Sequence, residues 1–354
     1  MGICCINCFQ DDCIIKIIKE NEEKGDCEYC GSEDTCCMDT FELTDIFSPL
    51  MEIYEETTYG EHYGYGNDPN NCGGLLEDLI QEDWTIFSEG LDSDKAKNLL
   101  WDILSLEGDP DNPVDRYELY SRYNGAFTHV EYDEIWDEFC QEIKFKKRFF
   151  HQYSWQNDLS GLLDICSIKI KEGNCYYRAR ITEAVNSKDP IPVHEMGAPP
   201  KEKSKNNRGN PAGIVYLYCA TNIETAIAEV RPWKTAKISV ATVEVNKEFS
   251  VVDLRQIPYL DTPFGHVNLR RELEGRALLR RLSKEMSKPV DPSAAGYEYA
   301  PTQYLCELVN YLGFNGVIFN SSLGSGANII VFDTDNVKIL DSRLYTLNKI
   351  DYSF

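Results

Sequence analysis

The sequence has no apolar run approaching the ~18 residues that a membrane span requires. Its first residues lack a basic stretch and a long apolar stretch, since Cys13–Ile18 is short and broken by Lys16; no secretory signal is read there. A myristoylation motif is also missing, because Ile6 stands where Met1-Gly2 would need a Ser or Thr. These absences predict a cytoplasmic protein with no membrane partner. Basic residues are scarce at the front: positions 1–150 hold 11 Lys/Arg against 36 Asp/Glu, whereas positions 151–354 hold 24 against 23. So acidic a front half repels nucleic-acid phosphates and anionic lipid, which excludes nucleic acid as its partner. It reads instead as a solvated face or a dock for a basic protein.

What is present is enough to fold. The 354 residues are 42% hydrophobic and 12% aromatic, about two domains' worth of core and too apolar for wholesale disorder. Of the 14 cysteines, eight lie in the first 37 residues. In a reducing compartment that concentration points to metal rather than to disulfides. Cys5-x2-Cys8 and Cys27-x2-Cys30 stand 18 residues apart, a spacing suited to four thiolates around one structural Zn2+. Cys4 is an alternative to Cys5, and Cys36 and Cys37 are further candidates. A redox dithiol, or plain reduced thiols, is the other reading. Four protein ligands leave no open position, so the ion would be structural rather than catalytic.

Three segments follow: a Cys-rich zinc-binding element at 1–40 with too few apolar residues for a core, an acidic and mainly helical domain at 41–150, and an α+β domain at 151–354. Tyr59–Gly74 reads as loop. Helical spacing then recurs in Leu75, Leu76, Leu79 and Ile80, in Leu99, Leu100, Ile103 and Leu104, and in Ile135, Trp136 and Phe139. In the last segment Cys175–Ile181, Gly213–Ala220, Lys237–Val245, Phe249–Leu254, Val317–Phe319 and Ile329–Phe332 read as strands. Thr221-Asn222-Ile223-Glu224 reads as a capping box opening a helix through Glu229. Leu269–Met286 reads as a long helix, and Pro301 and Gly313 bracket another.

Several side chains carry chemistry. Arg122-x6-His129 lies near the Arg-x4–6-His spacing of HEPN-type ribonucleases, but the intervening residues read as a turn and the surroundings are acidic, so no ribonuclease is assigned. Arg178 and Arg180 alternate along an apolar strand, share a face, and need an anionic partner such as phosphate. Arg208 stands in a flexible Gly/Pro loop. Glu229 follows the small Ala226 and Ala228, and Ser321–Asn328 is a small, polar loop between two apolar strands. By residue chemistry this is a site for a phosphorylated sugar ligand. The competing reading is an Arg178–Glu229 ion pair and an ordinary hairpin.

In order, Tyr-Arg-Ala-Arg (177–180), Gly-Ala-Pro-Pro (197–200), Arg-Gly-Asn-Pro-Ala-Gly (208–213), Tyr-Leu-Tyr (216–218), Glu-Thr-Ala-Ile-Ala-Glu-Val-Arg-Pro (224–232), Asp-Leu-Arg (253–255), Pro-Thr-Gln-Tyr-Leu (301–305) and Gly-Val-Ile-Phe-Asn-Ser-Ser (316–322) with Asn328 resemble the RES domain. The front half resembles the zinc- and HEPN-like region of longer members, on Cys5/Cys8, Cys27/Cys30 and Trp84–Phe87. The resemblance implies an ADP-ribosyltransferase-like mixed α/β fold and a bacterial toxin or defence effector that consumes NAD+. Its Arg, Glu and Ser are then Arg178, Glu229 and Ser321, with Ser322 beside Ser321 as the alternative.

The implied NAD+-binding set adds Arg208, Tyr218, Arg180, Asn210, Ser322, Asn328 and Gln303. One departure stands out: Asn207-Arg208-Gly209-Asn210 replaces a Gly-Arg-Trp-Asn of shorter members, removing a stacking tryptophan. The expected reaction is cleavage of the nicotinamide–ribose bond, with ADP-ribose released, passed to phosphate, or transferred to a protein. A non-catalytic nucleotide-sensing module is the reading from another class. An antitoxin or trigger protein and a homo-oligomer are the expected partners.

Overall fold

A computed structural model describes residues 2–57, 73–104, 118–122, 130–150, 161–182, 188–291 and 293–349, with the side chains of 130–135 left aside. The chain forms two compact units, Met1–Tyr132 with Tyr259–Ala277, and Asp133–Pro258 with Leu278–Phe354.

In the first unit the cysteine-rich start supplies strands as well as thiols. β1 (Ile3–Cys5) pairs antiparallel with β3 (Thr35–Asp39), which pairs with β2 (Lys24–Gly25). The helix Asp12–Glu20 is capped by Asp11, whose carboxylate accepts from the Cys13 and Ile14 amides at 2.8 and 3.1 Å. Its Ile14 and Ile18 are fully buried in one core with Phe47, Leu50, Leu76, Ile80 and Leu99. The segment therefore folds by sharing a core with later residues, which its own low apolar content concealed. The helical spacing above is realised in Leu76–Asp83 and Ser93–Leu104. Of the Tyr59–Gly74 reading, residues 59–72 lie outside the described residues.

β4 (Tyr54–Glu56) pairs with β5 (Tyr120–Arg122), so Arg122 closes a strand. Its Nε donates to both Asp83 carboxylate oxygens at 2.9 and 2.7 Å, and its Nη2 to Glu82 at 2.7 Å. Tyr54 donates to the same Asp83 carboxylate at 2.9 Å. Arg122 is thus held in a structural ion-pair cluster, and its companion His129 lies outside the described residues.

The second unit is built on an eight-stranded sheet. With β6 (Ser167–Ile170), β7 (Cys175–Ile181), β8 (Leu217–Ala220), β9 (Lys237–Val245), β10 (Phe249–Asp253), β11 (Gly316–Asn320), β12 (Ala327–Val331) and β13 (Val337–Thr346), its order is β13-β9-β7-β8-β12-β11-β10-β6. Only β10–β11 among the adjacent pairs is parallel. Central strands are covered on both faces, so β9 buries Ile238 to Ala241 in succession rather than alternating.

Two readings change here. Gly213–Ala220 is strand only from Leu217, because Gly213 takes φ +92° and ends a loop. The helix Ile223–Glu229 is capped by Asn222, whose Oδ1 accepts from the Thr225 amide at 2.8 Å; Thr221 instead accepts from Ala327 N at 2.9 Å. That switch ties the helix to β12.

Candidate functional site

Strands β7 and β8 meet at a single register pair, Tyr177↔Ala220, while β7 runs beside β9 for seven. Where β7 and β8 part, a cavity of about 540 Å³ opens, lined by Tyr177, Arg178, Tyr218, Glu229, Arg231 and Asn328 among others. That volume suits a small-molecule ligand.

Glu229, the last residue of its helix, is exposed to this cavity. Its Oε1 accepts from Ser321 Oγ at 2.6 Å and from Asn328 Nδ2 at 2.7 Å. Oε2 has no partner among the described residues. Two donors on one oxygen fix the carboxylate and leave the other oxygen for a ligand hydroxyl. Ser321 is fixed in turn, because its Oγ accepts from the Leu323 and Gly324 amides at 3.0 and 3.1 Å. Ser322 lines the cavity without a side-chain partner among the described residues.

The glycines explain how this loop comes so close. A Cβ at Gly324 would sit 2.6 Å from Thr225 Oγ1 and 2.9 Å from Thr225 Cα, and Gly326 N donates to that same Oγ1 at 2.9 Å. The loop is pressed against the first turn of the Glu229 helix. Gly324→Ala is expected to destabilise by about 1–3 kcal/mol, since backbone rather than a flexible side chain must move. Chemical denaturation measures this, and an unchanged midpoint contradicts it.

Arg178 donates Nη1 to the Tyr218 carbonyl at 2.9 Å across the parting strands, while its Nε is buried without a partner. Burial, and after it the neighbouring Arg180, holds this guanidinium below the usual arginine range. No ion pair joins Arg178 to Glu229 among the described residues, so the structural-pair alternative is not realised. A half-desolvated cation with an unused donor favours an anionic ligand.

Other predicted residues are engaged elsewhere. Arg180 is exposed and donates to the Glu195 carbonyl at 2.6 Å, away from the cavity lining. Asn210 is buried, with Nδ2 bonded to the Ser204 hydroxyl and the Lys205, Pro211 and Ile214 carbonyls. Gln303 Nε2 donates to Asn206 Oδ1 and to the Asn207 and Asn210 carbonyls at 2.8–3.1 Å. Asn210 and Gln303 thus knot the 204–214 loop. Tyr218 does line the cavity; its hydroxyl donates to Asn210 Oδ1 at 2.5 Å and accepts from Gly209 N at 3.1 Å. Burial pushes its phenol well above the usual range. A Cβ at Gly209 would lie 2.6 Å from Ile330 Cδ1, so the main chain itself occupies the space beside Tyr218.

Arg208 lines the cavity as well, but two of its donors are taken by main-chain carbonyls. The sequence reading gave no role to Arg231 or Tyr299, which also line the cavity. Arg231 stood in view two residues after Glu229; nothing in the local pattern marked Tyr299.

The thiol cluster belongs to the first unit. The sulfurs of Cys5, Cys8, Cys27 and Cys30 all lie within 4.8 Å of one another, with Cys5–Cys30 at 3.4 Å and Cys8–Cys27 at 3.3 Å. Sulfurs at tetrahedral corners about 2.3 Å from one Zn2+ would be about 3.8 Å apart, so the donor set fits one such ion. Cys4 is excluded: its thiol donates to the Met38 carbonyl at 3.4 Å. Burial and the Cys30 hydrogen bond push Cys5 up to about 12. Cys30, against its own burial, is drawn down to about 7 by its hydrogen bonding with Ser32 and the neighbouring cysteines. Four sulfurs so close ionise together only around a cation.

Residues 179–350 match the RES domain family, and residues 20–157 match HEPN/RES N-terminal domain 1. Arg178 stands one position ahead of the first match; Cys27 and Cys30 fall inside the second, and Cys5 and Cys8 precede it. No curated protein matches the chain. Among solved structures the chain is similar to one in the M. tuberculosis MbcT-MbcA toxin-antitoxin complex, at 16% identity over 54% of this chain and 96% of that chain, with a TM-score of 0.30.

Proposed function

We propose that this chain, a RES domain protein with a HEPN/RES N-terminal domain, is an NAD+ glycohydrolase acting as a toxin or defence effector that depletes NAD+. The observation that carries the reading is Glu229, held through one oxygen by Ser321 and Asn328 on the wall of a cavity that it shares with Arg178.

The chemistry follows from that arrangement. The bond from ribose C1 to the nicotinamide nitrogen breaks with its electron pair going to the nitrogen. The cationic ring leaves neutral, so no general acid is required and a site without histidine suffices. Positive charge develops on the ribose, as in glycoside hydrolysis. Glu229 Oε2 accepts a hydrogen bond from a ribose hydroxyl, and its negative charge interacts more strongly as that charge grows. Water then bonds to C1 and releases a proton, giving ADP-ribose. Arg178 binds the diphosphate through its guanidinium, the Tyr218 ring packs against the ligand, and Ser321 and Asn328 keep the carboxylate aimed. A protein nucleophile in place of water would make the same cleavage an ADP-ribosyl transfer.

Ser321→Ala removes one of two donors to Glu229 and leaves Asn328. It is expected to lower kcat about tenfold with KM within about twofold, the loss of one charge-assisted hydrogen bond felt in the transition state. Steady-state kinetics with NAD+ checks this; full activity would remove Ser321 from the site.

In the first unit the Cys5, Cys8, Cys27 and Cys30 cluster holds a structural Zn2+ that ties β1 to the turn between β2 and β3. An antitoxin or trigger protein restrains the enzyme in the cell.

A further inference from the structure

Three arginines line the cavity, and their donors are unequally committed. Arg208 donates Nη1 to the Glu285 carbonyl at 2.9 Å and Nη2 to the Lys288 carbonyl at 2.5 Å. Those carbonyls belong to the C-terminal end of the Leu269–Ser287 helix and the residue just after it, where a cation is well placed. Its guanidinium also lies 5.4 Å from the centre of the Tyr299 ring. Arg178 keeps one buried donor unused. Arg231 is exposed, and its side chain makes no hydrogen bond or ion pair among the described residues.

The backbone at Arg231 is unusual. Its φ is +47°, a left-handed conformation that costs a side-chain-bearing residue energy, and it directly precedes Pro232, which restricts it further. Its amide donates to the Ala228 carbonyl at 2.9 Å, so the chain turns sharply as the Glu229 helix ends. Glycine is the usual residue at such a turn. An arginine here sets a guanidinium on the cavity wall two residues beyond Glu229, and the two do not form an ion pair among the described residues.

Resting on the NAD+ reading above, we infer that Arg231 is a diphosphate-binding residue of this site, supplying with Arg178 the two cations that face the ligand's phosphates. A dinucleotide carries one negative charge on each of its two phosphates, and a guanidinium matches a phosphate through paired N–H donors. Arg178 is a single positive charge, with Nη1 held by the Tyr218 carbonyl and Nε buried without a partner. Arg208, two of whose donors are held by main-chain carbonyls, is a positioning residue that fixes the 204–214 loop against the end of the helix.

The test titrates ADP-ribose and, separately, adenosine into the full-length wild type, Arg231→Gly and Arg231→Lys by calorimetry, beside thermal melts. Adenosine lacks the diphosphate, so it reports the rest of the site. Arg231→Gly relieves the left-handed strain while removing the cation, so its melting temperature is expected not to fall. Its affinity for ADP-ribose is expected to drop about tenfold or more, with adenosine binding unchanged. Arg231→Lys keeps a point charge without the paired donors and is expected to retain part of the affinity. Wild-type ADP-ribose affinity in Arg231→Gly, or equal weakening of both ligands, overturns the inference alone. A wild type that binds neither ligand overturns it together with the reading beneath it.

Discussion

Cys27→Ser is expected to cost the chain its metal and the fold of its cysteine-rich start together. Cys5 ends β1, Cys8 ends the turn that follows it, and Cys27 and Cys30 lie between β2 and β3. One ion therefore closes two distant turns. β1 meets β3 at only three register pairs, so backbone pairing alone gives this corner little. Structural zinc contributes about 10–16 kcal/mol of binding energy in small metal-dependent folds, and that energy is folding energy. We expect near-stoichiometric zinc by elemental analysis in the wild type, a loss to below about a tenth in Cys27→Ser, and a lower first melting transition. Cys4→Ser is the control: its thiol faces the Met38 carbonyl, outside the quartet, and it should keep its zinc. A metal-free, well-folded wild type, or equal loss in both variants, contradicts this account.

Glu229→Gln is expected to lower kcat for NAD+ cleavage by about a thousandfold or more, near 4 kcal/mol of transition-state stabilisation. The amide oxygen can still accept from Ser321 and Asn328, so the side chain stays in place and only the charge is lost. KM should move by no more than a few-fold, because ground-state binding rests on the arginines and the cavity wall. Kinetics on the purified variant beside a matched thermal melt separates this from misfolding. A variant with wild-type kcat would remove the carboxylate from the chemistry.

Much of this was legible because the relevant signals are local. Two Cys-x2-Cys pairs announce a four-thiol cluster, and the quartet is the one the structure draws together, with Cys4 turned away. Apolar periodicity marked the helices at Leu76–Asp83 and Ser93–Leu104, and β-rich composition marked β7 and β9. The strand β13 escaped notice because it lies at a sheet edge, where its residues alternate between half-buried and exposed and no apolar pattern is imposed. Contacts across long sequence separations escaped too. Ser321 reaches Glu229 across 92 residues, and Gln303 clamps a loop more than 90 residues away. The resemblance places Arg180, Asn210 and Gln303 in the NAD+-binding set, but residue identity alone does not show which neighbours the fold brings to each. In the fold, Arg180 Nη1, Asn210 Nδ2 and Gln303 Nε2 donate to main-chain carbonyls, and the latter two also to the Ser204 hydroxyl and Asn206 Oδ1, partners that only the folded chain brings near. Arg231 stands inside the quoted Glu224–Pro232 motif without a role of its own, because the left-handed turn at which it lines the cavity is one that no propensity predicts for arginine.

The most direct test incubates the purified full-length chain with NAD+, in the absence of any protein substrate, and follows nicotinamide and ADP-ribose by chromatography. The account predicts equimolar release of both by the wild type and release slower by about a thousandfold or more by Glu229→Gln. Intact NAD+ after prolonged incubation with a folded, zinc-loaded wild type would contradict it, and nicotinamide release matched by Glu229→Gln would contradict the assignment of the site.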